Sequence, residues 1–96
     1  NLPLPARSGV AVWFEALELA CARIARHQAA AVVVSLGLDA FAGDPISTFA
    51  LQATDFTRLG TRLARLGLPT VLVLEGGYAA VELGDNAVRV LRGFPA

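Results

Sequence analysis

Two short runs constrain this chain more than any other feature: residues 30–36, AAVVVSL, and residues 70–74, TVLVL. A strand with one wet face alternates apolar and polar side chains. A strand covered on both faces reads as an unbroken apolar run, as these do. Their valines suit a pleated, buried position because branching at Cβ already restricts χ1. The stretch between them carries a helical pattern, and strand–helix–strand order implies a parallel sheet with a right-handed crossover. Only two such runs are present. A two-stranded sheet that is apolar on both faces leaves its edges open. The expectation is therefore one unit, residues 1–96, that forms part of a larger domain whose other strands pair alongside. The chain contains no Met, at position 1 included, which fits a piece of a longer protein.

The helices follow from the 3.6-residue period. Val10, Trp13, Phe14, Leu17, Cys21 and Ile24 form one apolar stripe after Ser8, predicting a helix over about 9–27 with Ser8 as N-cap. Glu15 and Glu18 come early and Arg23 and Arg26 late, as the helix dipole favours. Phe56, Leu59 and Leu63 predict a second helix over 55–66, capped by Thr54 and stopped by Gly67 and Pro69. A third covers about 80–91, acidic at Glu82 and Asp85 and basic at Arg89 and Arg92.

Composition narrows the classes of partner. Eight basic residues, all Arg, balance eight acids, and the arginines form no stripe. There is no electrostatic reason to expect nucleic acid or an acidic membrane surface as a partner. No apolar run approaches the roughly 20 residues that cross a bilayer. The opening NLPLP lacks the pattern of a secretory signal. A single cysteine, Cys21, rules out an intrachain disulfide, so a cytoplasmic home is expected.

In parallel α/β sheets, ligands bind beyond the carboxyl ends of the strands. Two loops leave such ends here: SLGLDAFAGDP at 35–45 and EGGY at 75–78. If the strands are neighbours, Asp39 and Tyr78 emerge at one edge and face a common crevice. Each also has an ordinary explanation. An Asp among glycines and a proline is often a turn former, and a Tyr after Gly-Gly is often packing. Gly76-Gly77 before a helix could alternatively cradle the phosphate of a ligand, which would make the chain a non-catalytic binding module. It lacks the full glycine-rich fingerprint and a following Lys. A third reading is a structural element that docks on a partner through its open sheet edge.

Taken together, SLGLDAFAGDP, LEGGY and the opening NLPLP resemble the closing motif blocks of the zinc-dependent deacetylases, and the resemblance runs through essentially the whole chain. The Glu of LEGGY and the Ile-Ser after Asp44-Pro45 are similar to the acetylpolyamine amidohydrolase and class II histone deacetylase branch. The resemblance implies the three-layer arginase/deacetylase-type fold, a parallel sheet with helices on both faces. It also implies hydrolysis of an acetyl amide on an acetylated polyamine or an acetyl-lysine side chain. Asp39 then matches one of three protein ligands to Zn2+, and Tyr78 the phenol that steadies the tetrahedral oxyanion. Gly76 and Gly77 match glycines beside the substrate, and Ile46 falls near the tunnel mouth.

Other parts of that machinery are missing from this stretch. The Asp-x-His pair of zinc ligands and the two adjacent general acid–base histidines do not occur. The one histidine, His27, reads as a helix C-terminal residue. Alone, the chain is expected to be inert, with the remainder of its catalytic domain as its first partner. Self-association through the sheet edges stays open. Cys21, Trp13 and Phe14 read as core, Asp44 as an organiser of its own loop through backbone amides, and Glu75 has no assigned chemistry.

Overall fold

The computed structural model describes residues 1–95. The elements run in the order α1 (Val10–His27), β1 (Val32–Leu36), α2 (Ala53–Ala64), β2 (Thr70–Leu74) and α3 (Ala80–Arg92). β1 and β2 pair in parallel, with Val32 opposite Thr70 and Leu36 opposite Leu74. The α/β class and the parallel sheet are those expected. β1 starts two residues later than its apolar run. The Val32 N–H donates to the Pro69 carbonyl at 2.9 Å, and the exposed Ala30 and Ala31 lie outside the ladder.

That register fixes what each face of the sheet meets. Val34, Leu36 and Leu72 belong to or pack on the core, together with Phe14 and Cys21 of α1, Phe56, Leu59 and Leu63 of α2, and Val90 of α3. The alternate positions are bare: Val33 is 68% exposed, Val71 58% and Val73 42%. All three helices contribute to the core on the Val34 side. Among the described residues nothing supplies the second helical layer, so the Val33 face lies open, while on the Val34 face Leu36 is buried and Leu74, at the strand end, stays 62% exposed.

Two of the expected caps differ. The N-cap of α1 is Gly9, not Ser8, whose hydroxyl donates instead to the Pro5 carbonyl at 2.6 Å. The N-cap of α2 is Gln52, not Thr54. The Gln52 N–H donates to the Asp55 carboxylate at 2.8 Å, and the Asp55 N–H donates to the Gln52 carbonyl at 3.0 Å. An acid at the third helical position satisfies the orphan amide, whereas Thr54 already lies inside the helix, two residues past the cap. α1 ends as read, with His27 last and Gln28 left-handed at the C-cap. The αL conformation there is one that ends many helices.

α2 and α3 touch backbone to backbone. A Cβ on Gly60 would sit 1.9 Å from the Val90 carbonyl oxygen, and one on Gly93 would sit 2.2 Å from the Thr61 nitrogen. Neither neighbour is a flexible side-chain end, so the helices themselves would have to separate. Gly60→Ala is expected to destabilise the fold by about 3 kcal/mol, the upper range for overpacking. Gly84 lies in α3 with nothing within 4 Å of its would-be Cβ. Gly84→Ala should instead stabilise by about 0.5–1 kcal/mol through helix propensity. Denaturant midpoints of the two variants, moving in opposite directions from wild type, check both expectations.

Candidate functional site at the carboxyl edge of the sheet

The ladder continues past the strand ends. The Glu75 N–H donates to the Leu36 carbonyl at 3.0 Å, and the Leu38 N–H donates to the Gly76 carbonyl at 2.7 Å. Residues 38 and 76 are thus locked side by side, and Asp39 and Tyr78 leave the sheet from one edge, as expected. The loop after β1 then folds back on itself. Phe41 bridges Leu51, with the Ala42 N–H donating to the Leu51 carbonyl at 2.8 Å. Leu51 is fully buried and anchors the return.

The glycines make room for Asp39. A Cβ on Gly76 would lie 2.6 Å from Asp39 Oδ2, and one on Gly37 would lie 2.8 Å from Oδ1. The half-buried carboxylate rests against these two bare backbones. Gly77 has φ +143, a conformation that disfavours any side chain, and a Cβ there would meet Leu83 Cδ1 at 2.6 Å. Both Gly76 and Gly77, expected beside the substrate, therefore have a packing requirement of their own. Sequence reasoning passed over Gly37. Its signal was the Gly two residues before the Asp in SLGLD, which by itself reads only as a turn.

Asp44 does more than organise its loop. Its Oδ1 accepts the N–H groups of Ile46 at 2.9 Å and Ser47 at 3.1 Å, and its Oδ2 accepts the Tyr78 N–H at 2.8 Å. Burial works to raise this carboxyl's pKa, but the backbone donors of Ile46, Tyr78, Ser47 and Ala79 outweigh it and hold it below the ordinary range. The N-cap of α3 is Ala79, whose side chain can cap nothing, so Asp44 supplies the negative charge at that helix end from another loop. This also answers the phosphate alternative. The amides that a bound anion would need after Gly76-Gly77 are already turned to the protein's own carboxylate.

Tyr78 itself is 54% exposed, and Ile46 is 69% exposed with only its amide tied down. Where Asp44 collects three backbone donors, no hydrogen bond among the described residues takes up the Asp39 carboxylate. No group of three or more His, Cys, Asp or Glu able to hold a metal ion occurs among the described residues. A cavity of about 470 Å³ lies elsewhere, between α1 and α2. Two of its three arginines are engaged by neighbours: Arg62 pairs with Glu18 at 2.7 Å and Arg58 stacks on Phe14, 3.8 Å from the ring centre. Cys21 is fully buried, and burial pushes its thiol pKa up, as suits a core residue. No helix among the described residues is long and apolar enough to cross a membrane.

The carboxyl edge of the parallel sheet thus presents one carboxylate, Asp39, and one phenol, Tyr78, on adjoining loops. Residues 1–94 match the histone deacetylase domain, and the chain belongs to that family. It is 51% identical over 94 residues to acetylpolyamine amidohydrolase 1 of Pseudomonas aeruginosa, covering 98% of this chain and 27% of that protein. It is 44% identical over 93 residues to the acetylpolyamine amidohydrolase of Mycoplana ramosa, covering 97% of this chain and again 27% of the relative. The crystal structure of an acetylpolyamine aminohydrolase from Burkholderia pseudomallei superposes with a TM-score of 0.95 at 42% identity, over all of this chain and 28% of that one. The chain thus spans about a quarter of the length of the relatives it matches.

Proposed function

We propose that residues 1–96 complete the active site of a zinc-dependent amidohydrolase that removes acetyl groups from small acetylated amines, acetylpolyamines before acetyl-lysine side chains. The observation that carries this is the locking of Asp39 and Tyr78 to one strand edge, through the Leu38–Gly76 hydrogen bond and the Asp44–Tyr78 hydrogen bond. The relatives' names favour the polyamine side of the substrate choice.

Asp39 fits the part of one metal ligand. It is a hard oxygen donor, seated in a glycine cradle, with its acceptor capacity free. One carboxylate cannot hold zinc by itself, so the other ligands belong to the rest of the domain. Bound there, zinc would polarise the amide carbonyl and lower the pKa of a water. This chain's own contribution is Tyr78, whose hydroxyl donates to the carbonyl oxygen as negative charge gathers on it. Gly76 and Gly77 keep side chains out of the approach, and Ile46 lies on the rim, where side-chain bulk sorts substrates. The cytoplasm is the proposed location, since Cys21 is a lone buried thiol with no disulfide partner.

The test uses the complete catalytic domain that contains this chain. Acetate should be released from a mono-acetylated diamine faster than from an acetyl-lysine peptide. Chelation should abolish the release and added Zn2+ restore it. Release that survives exhaustive chelation, or no release from either substrate, would sink the proposal.

A further inference from the structure

Asp44 is one of two buried polar or charged residues in the described chain, 6% exposed, and the only carboxylate of the pair. We infer that Asp44 is a positioning residue for the reaction, fixing the backbone from which Tyr78 projects and holding it in register with the rim loop that carries Ile46. The inference rests on the reading of Tyr78 as the oxyanion donor.

Tyr78 needs such an anchor. Its ring is half exposed, so packing among the described residues does not hold it. The two residues before it are glycines, and Gly77 sits at a φ that only glycine adopts readily. Gly76 is held through its carbonyl by the Leu38 N–H, and the first hydrogen bond after the glycine pair is that of the Tyr78 N–H itself, donated to Asp44 Oδ2 at 2.8 Å. The same carboxylate holds the Ile46 and Ser47 amides through its other oxygen. Two loops separated by 34 residues thus share one anion. An oxyanion donor is useful only within about 2.7–3.1 Å of the developing charge. A displacement of roughly 1 Å costs on the order of 100-fold in rate.

Asp44→Asn keeps the shape and replaces one acceptor oxygen by a donor that faces backbone N–H. In the complete domain, kcat is expected to fall by about 30- to 100-fold, with KM changed by no more than about twofold and the zinc content per chain unchanged. The deciding measurement is the double variant. If Asp44 acts through Tyr78, adding Asp44→Asn to Tyr78→Phe should lower kcat by no more than about twofold beyond Tyr78→Phe alone. Losses that multiply in full, or a fall in zinc content matching the fall in kcat, would show a general structural role and overturn the inference. If Tyr78→Phe leaves kcat unchanged, the oxyanion reading fails first, and the role of Asp44 falls with it. Should Asp44→Asn not fold, Asp44→Ser provides the same test. Its hydroxyl can still reach the Ile46 and Ser47 amides as a local turn, but not the Tyr78 amide across the gap.

Discussion

Tyr78→Phe in the complete catalytic domain is expected to lower kcat by about 100- to 1,000-fold while leaving KM nearly unchanged. The substitution removes one oxygen and nothing else that the fold uses. Tyr78 is tied to the protein through its backbone N–H, and its ring is 54% exposed. Thermal unfolding should therefore coincide with wild type. The loss falls on kcat because the carbonyl oxygen carries little charge in the bound substrate and much more in the tetrahedral intermediate. A donor that strengthens with that charge stabilises the transition state over the ground state. Steady-state acetate release from a mono-acetylated diamine measures it. A variant within a few-fold of wild type would remove the phenol from the reaction and return Tyr78 to packing.

Asp39→Asn should act on the metal rather than on the rate constant at full occupancy. Asparagine is nearly isosteric, so the close fit against Gly37 and Gly76 survives. What is lost is the negative charge that, on the proposed function, makes this side chain a strong zinc ligand. Even outer partners of metal ligands are worth about 10- to 100-fold in affinity, so removal of a ligand should cost at least about 100-fold. Competition with a chromophoric chelator reads this directly, without any substrate. Equal zinc affinity in the variant and the wild type would mean that Asp39 only shapes the loop.

Much of the architecture was legible from periodicity and punctuation. β2 was read as it stands, because Pro69 and Gly76-Gly77 bracket an apolar run too short for a helix. The ends of α1 and α2 were harder. At Ser8 and Thr54 a good capping residue sat close by, but hydrogen bonds at Pro5 and Asp55 decided where the helices start. At the site, the residues at the strand edge could be named from the motif blocks, because a carboxylate and a phenol follow their strands by short fixed distances. The tie from Asp44 to Tyr78 could not, since no local pattern reports a bond across 34 residues. Nor could the wet face of the sheet be foreseen. Doubly apolar strands signal that both faces are meant to be covered, and say nothing of which residues do the covering.

That wet face has a practical consequence. Val33, Val71 and Val73 form an oily strip that water tolerates poorly. Charged substitutions there would make a sample of this chain easier to handle in solution. They would also alter a face whose apolar strands signal that it is meant to be covered. Solubility and coverage pull on the same three valines in opposite directions. Coexpression with the rest of the domain, rather than surface engineering, is the route to a sample in which Tyr78 and Asp39 can be studied at work.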